Sequence, residues 1–211
     1  MAQLFAIHPV NPQPRLVERA AAMIRDGAVI AYPTDSCYAL GYQPGDKDAI
    51  ERIRTIRQFD DRHHLTLVCR DLSEISLYAR VDNQQYRLLK SATPGSFTFI
   101  LPATREVPRR LQHPKRSTIG LRIPDHPVAL ALLESLGEPL ISATLMLPDE
   151  PFPLNDPEAI RDRLEKQVDL VIDAGPCGIE PTTVVDLTGP VPVLVRRGQG
   201  DPALFGIDDS D

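Results

Sequence analysis

Apolar residues recur at Leu16, Val17, Ala20, Ala21 and Ile24, the spacing of one helical face, and predict a helix over Pro14–Asp26 that Gly27 ends. Ala28–Tyr32 is a short apolar run stopped by Pro33 and predicts a buried strand. Ile50, Ile53 and Ile56 form the stripe of a second helix over Asp48–Arg57. A strand at Leu65–Cys69 and short helices at Leu72–Tyr78 and Asn83–Ser91 follow. Strand patterns return at Phe97–Leu101 and Thr118–Ile123, then a helix opened by Pro127 runs to Leu136 with Gly137 as its cap. Leu140–Leu145 reads as a strand and Asp156 opens a helix through Lys166. Asp169–Asp173, Thr183–Leu187 and Val191–Val195 are the closing strands. Helices and strands alternate first and strands cluster later. That order predicts one α/β domain over 1–211, a twisted mixed sheet flanked by helices, with a core over about 14–200 and a frayed acidic tail.

Composition narrows the class. The chain of 211 residues is 42% hydrophobic and carries 21 prolines, so its elements are expected to be short and sharply bounded. Its three cysteines, Cys37, Cys69 and Cys177, lack any metal-ligand spacing and fit reduced thiols in a cytoplasmic protein. No cationic segment followed by an apolar run opens the chain, and no window approaches a membrane span.

Charge is unevenly placed. Arg105, Arg109, Arg110, Lys115, Arg116 and Arg122 face Glu106 alone, a net +5 inside a chain of −6, so the rest carries −11. Such a stretch suits phosphates or an RNA backbone, or it is a solvated arm paired with nearby carboxylates. Tyr32-Pro33-Thr34-Asp35-Ser36 follows directly on a strand, where open α/β sheets build ligand sites, although turns use the same residues. Arg122 ends an apolar strand and needs a partner, either a ligand carboxylate or an internal Asp or Glu. His63 and His64 are adjacent and would point to opposite faces of a strand, which disfavours a shared metal. There is no P-loop, GxGxxG, HExxH or GxSxG motif, and no acid, base or nucleophile stands out.

Several segments together resemble one family. Tyr32–Gly41 resembles the PTETVYGLG signature of the YrdC/YciO proteins, and Pro94–Leu101 resembles their PGPLTLIL strand. Thr118–Pro127 is similar to TxxxRxPxHP, Ser142-Ala143-Thr144 to SAN, Thr182–Asp186 to STVVD, and Val195–Gly198 to LRPG. The wording of Asp60–Asp71 and Ser142–Pro148 is most similar to the YciO branch. The resemblance implies a YrdC-like domain, similar to the RibB-like α/β fold, whose sheet lines a concave basic cavity. Its synthase members join L-threonine, bicarbonate and ATP, carried with Mg²⁺, into threonylcarbamoyl-adenylate for tRNA modification.

Carried over residue by residue, the resemblance places Thr34, Arg122 and Thr182 on threonine. It places Arg57, Thr118, Ser142, Thr144 and Arg196 on ATP, with no resident metal. Phe59 stands where the synthases have an arginine, His63 and Thr144 where they have asparagines, and Val68 where a histidine would contact threonine. Two functions are therefore expected. One is adenylate synthesis of the nucleotidyltransferase type. The other is binding of structured RNA, tRNA or rRNA, through Arg105, Arg109, Arg110, Lys115 and Arg116 without synthesis. A third reading keeps nucleotide binding as a sensor.

Overall fold

A computed structural model describes residues 1–58 and 65–207. Among these residues ten strands form one mixed sheet and six α-helices flank it. The chain runs β1 (Gln3–Ala6), α1 (Pro14–Arg25), β2 (Ile30–Tyr32), β3 (Ala39–Tyr42), α2 (Lys47–Arg57) and β4 (Thr66–Val68). It continues through α3 (Leu72–Tyr78), α4 (Asn83–Ala92), β5 (Phe97–Pro102), β6 (Thr118–Arg122), α5 (Pro127–Leu136) and β7 (Leu140–Thr144). It closes with α6 (Pro157–Leu164), β8 (Leu170–Asp173), β9 (Thr183–Asp186) and β10 (Val193–Arg196). The strand order is β1-β8-β2-β3-β7-β4-β6-β5-β9-β10.

The helices form where spacing and capping agree. Asp46 accepts from the amides of Asp48 and Ala49 at the start of α2, and Asp156 accepts from Ala159 in α6. Asp82 and Gln85 make a reciprocal capping box on α4. Gly137 ends α5 at φ 71°, a left-handed conformation that a β-carbon would strain. The expected domain and its mixed sheet are present. Two strands escaped the pattern: β1, only four residues long, and β3, whose Ala-Leu-Gly-Tyr sequence follows a polar turn. β10 begins two residues later than its apolar run, because Pro192 has no amide to offer the ladder.

The two faces of the sheet are covered unequally, and this makes the site. On one face α2, α3, α4 and α6 pack over a continuous apolar core that includes Leu67, Phe99, Leu121 and Ile141. On the other, α1 and α5 lie together over β1, β8 and β2, with Val68 and Leu140 at their margin. The same face of β7, β4, β6, β5 and β9 has no helix above it among the described residues. Ser142, Thr66, Arg122 and Thr98 lie on it beside Ile100 and Val184, with Thr182 just before β9.

Candidate active site

Strand register arranges this open face in rows. One row reads Ile100, Gly120, Thr66, Ser142, Gly41, each opposite the next on a neighbouring strand. A second has Arg196 opposite Val184, Val184 opposite Thr98, and Arg122 opposite Val68. Gly120 sits at the centre, where a β-carbon would come within 3.1 Å of Thr66 Oγ1 and 3.4 Å of Thr98 Cγ2. The missing side chain leaves a hollow. A cavity of about 430 Å³ opens there, within the range of small-molecule sites.

The loop between β2 and β3 forms one wall. Thr34 Oγ1 donates to the Cys37 carbonyl at 2.6 Å and accepts from the Ser36 and Cys37 amides at 3.2 Å. This turn holds Asp35 against the end of β6. Arg122 Nη2 donates to Asp35 Oδ1 at 2.5 Å, and Ser96 Oγ donates to Oδ2 at 2.8 Å. Both side chains of the ion pair are about nine-tenths buried. Arg122 Nε is also buried and has no partner among the described residues. Arg122 therefore has an internal carboxylate and an unused donor at once, so both partners weighed from sequence are compatible with the geometry.

Next to the hollow, the ring of Tyr32 packs against Gly41, where a β-carbon would lie 2.8 Å from it. Its hydroxyl donates to Ser142 Oγ at 2.8 Å. Burial pushes the Tyr32 phenol up, so it stays a donor and leaves the Ser142 proton available to a ligand. Thr98 and Thr182 share a hydrogen bond of 2.9 Å. Arg196 donates to the Thr182 carbonyl at 2.9 and 3.2 Å and to its hydroxyl at 3.2 Å. At the end of α2, Arg57 donates to the Met146 carbonyl. Burial lowers both guanidinium pKa values, and Arg196 adds to the effect on Arg57, so two cations share this rim.

Of the residues carried over from sequence, Arg122, Thr182, Ser142, Thr144 and Arg196 line the cavity. Thr34 is buried in the wall with its hydroxyl engaged by the turn. Thr118 is buried too, its hydroxyl unpartnered among the described residues. Phe59, His63 and His64 lie outside the described residues. Arg105, Arg109, Arg110, Lys115 and Arg116 are exposed on the arm between β5 and β6 and do not line the cavity. Arg110 donates to the Gly45 carbonyl at 2.6 Å, and Arg116 lies 3.4 Å from Asp186.

Sequence reasoning missed Asp35, Thr66 and Thr98 as site residues. A signal existed for the threonines. Each is a hydroxyl flanked by apolar neighbours within a strand, Leu-Thr-Leu and Phe-Thr-Phe, which marks the polar face of an otherwise buried ladder. Cys37 and Cys177 are pushed up to about 11, mainly by burial, so these thiols are neutral near pH 7 and are poor nucleophiles. No group of three metal-ligating side chains occurs among the described residues. Among the described residues no helix is long and apolar enough to cross a membrane either.

His126, beside Asp35 and Arg122, gives a pH test. Its Nδ1 is buried without a partner among the described residues, and burial lowers its pKa below the usual 6.5. The unfolded chain thus takes up a proton that the folded site resists. Stability is expected to fall as pH drops below the usual imidazole value of about 6.5, and His126→Gln should flatten that limb of a pH series of urea unfolding curves.

Comparison with known proteins agrees with this geometry. The profile of the Sua5/YciO/YrdC family, described as telomere recombination, matches residues 22–198. YciO of Escherichia coli K12 is 59% identical over 205 residues, which cover 97% of this chain and all of that protein. The crystal structure of E. coli YciO superposes with a TM-score of 0.94 at 58% identity, again over 97% and 100% of the two chains. Threonylcarbamoyl-AMP synthase of Bacillus subtilis is 30% identical over 86% of this chain and 53% of its own length. P. abyssi Sua5, crystallised with L-threonine, has a TM-score of 0.84 at 26% identity over 92% of this chain and 57% of that one. The open sheet face, its ordered motifs and these likenesses together place this chain in the Sua5/YciO/YrdC family.

Proposed function

We propose that the cavity binds ATP and an L-amino acid and joins them, with bicarbonate, into an acyl adenylate. The threonylcarbamoyl-AMP synthases it resembles do this with L-threonine. The amine forms a bond to the carbon of bicarbonate with loss of water. An oxygen of the resulting carbamate attacks the α-phosphorus, and the bond to the β-phosphate breaks to release pyrophosphate. The observation that carries this reading is the convergence of Arg122 and Arg196 on a hydroxyl-lined hollow where Asp35 is the ion-paired carboxylate, with Arg57 outside the lining but near enough to Arg196 to feel its charge. Arg57 and Arg196 would stabilise the charge of the departing pyrophosphate. Arg122 would hold the amino-acid carboxylate through its unused donor, and Ser142 would donate to the nucleotide. No covalent nucleophile is required, since holding the reactants in line supplies much of the rate. Magnesium would come with the triphosphate as part of the substrate.

Incubating the full chain with ATP, bicarbonate and single L-amino acids, and following pyrophosphate and adenylate, tests the reading. Release that depends on the amino acid supports it; absence of both products and of ATP binding overturns it. Gly120→Val should fill the hollow. We expect at least a tenfold loss of ATP affinity by calorimetry at a stability cost of about 1–3 kcal/mol, the usual cost of overpacking.

The exposed arm supports a second reading, binding of structured RNA. Its cations Arg105, Arg109 and Lys115 have no ion pair among the described residues. Reversing Arg109, Arg110, Lys115 and Arg116 to Glu should then weaken RNA binding alike for all structured RNAs. About four phosphate contacts predict a log–log salt slope near −3.6 that flattens in the variant. Undiminished affinity would leave the arm as a solvated loop.

A further inference from the structure

The basic arm between β5 and β6 ends against the open sheet face, through Arg116. Its Nη1 lies 3.4 Å from Asp186 Oδ2. Asp186 is opposite Ile100 on β5 and Val193 on β10, and Ile100 is opposite Gly120. Residues opposite one another share a face, so the Asp186 carboxylate stands beside Ile100 on the side of the sheet that carries the cavity. Val184, two residues earlier on β9, lines the cavity from that same side. Asp186 therefore extends the row Ser142, Thr66, Gly120, Ile100, and its backbone is roughly 10 Å from Gly120, two strand spacings away. Arg116 brings a guanidinium to that end of the row.

The ion pair at this place is weakly held. The Arg116 side chain is 63% exposed, and 3.4 Å is long for a charge-assisted hydrogen bond, so the pair contributes little. Asp186 does not depend on it. Its Oδ1 accepts from the Thr188 amide at 2.8 Å and from the Thr188 hydroxyl at 2.6 Å, and both bonds survive when Arg116 leaves. A nucleotide that meets Ser142 and fills the Gly120 hollow lies along this row, and the inference rests on that reading. We infer that Arg116 is a further binding residue for the triphosphate, which exchanges Asp186 for the terminal phosphate when the nucleotide enters. In the empty cavity Asp186 holds Arg116 aside.

The exchange trades a carboxylate that Thr188 already satisfies for a phosphate of higher charge with three acceptor oxygens. Calorimetric titration of the full chain with MgATP and with AMP, without amino acid or bicarbonate, reads it directly. Arg116→Ala is expected to weaken MgATP about tenfold, the lower end of what a hydrogen bond to a charged group contributes. AMP should stay within about threefold, because it has no terminal phosphate to meet Arg116, and circular dichroism checks the fold of each variant. Asp186→Asn keeps an acceptor for Thr188 and removes the competing charge. It is expected to tighten MgATP about two- to fivefold, the size of an exposed ion pair. That gain should disappear in the Arg116→Ala background, where there is no cation to release.

An MgATP affinity within threefold of wild type in Arg116→Ala, or equal losses for MgATP and AMP, would overturn the inference and leave the nucleotide reading standing. An Asp186→Asn effect that is absent, or that has the same size in both backgrounds, would overturn the exchange. Failure of the wild-type chain to bind MgATP would overturn the inference and the reading together.

Discussion

Asp35→Ala is expected to lower the unfolding free energy by about 3–5 kcal/mol, the usual cost of breaking a buried ion pair from one side. Asp35 and Arg122 are about nine-tenths buried and 2.5 Å apart, and Ser96 donates to the second carboxylate oxygen. Removing the carboxylate leaves a guanidinium whose Nε already lacks a partner with a second unpaired edge in the same low-dielectric place. Urea unfolding with an unchanged m-value measures the loss. A companion variant, Asp35→Ala with Arg122→Met, removes both charges and should recover most of the stability while abolishing carboxylate binding. If Asp35→Ala costs less than about 1 kcal/mol, the range of an exposed pair, then Arg122 is solvated in solution and the site is not preorganised around it.

Arg57→Ala combined with Arg196→Ala is expected to show the opposite balance. A hydrogen bond to a charged group contributes about 1.5–3 kcal/mol, or roughly 10- to 150-fold in affinity for each side chain that contacts the phosphates. Two such losses should weaken ATP binding by more than about a hundredfold, read by calorimetry. Stability should move little. Each arginine gives up a hydrogen bond to a carbonyl, of Met146 or Thr182, but burial and the neighbouring like charge already disfavour both cations. Function would fall while the fold holds, whereas at Asp35 both fall. An ATP affinity within threefold of wild type in the double variant would remove the phosphates from this rim.

Much of the architecture is local and legible along the chain. The stripes Val17-Ala20-Ala21-Ile24 and Ile50-Ile53-Ile56, the caps at Asp156 and Gly137, and the apolar runs of the long strands depend on neighbours only a few residues away. The ordered motifs single out Arg122, Ser142, Thr144, Thr182 and Arg196, and all five line the cavity. The strands β1 and β3 were not, because four residues carry too little pattern and much of their pairing energy comes from β8 and β7, distant in sequence. The partner of Arg122 was equally hidden. Asp35 lies 87 residues away, and only the β2–β3 turn and the end of β6, brought together by the sheet, make the pair. The cavity itself belongs to tertiary structure alone. α1 and α5 pack on each other over one half of a sheet face, and the hydroxyls of Thr66, Thr98 and Ser142 align into rows beside Gly120 only once register is set. A strand's alternation tells which residues share a face, but which face goes uncovered is decided by where the helices find room to bury theirs.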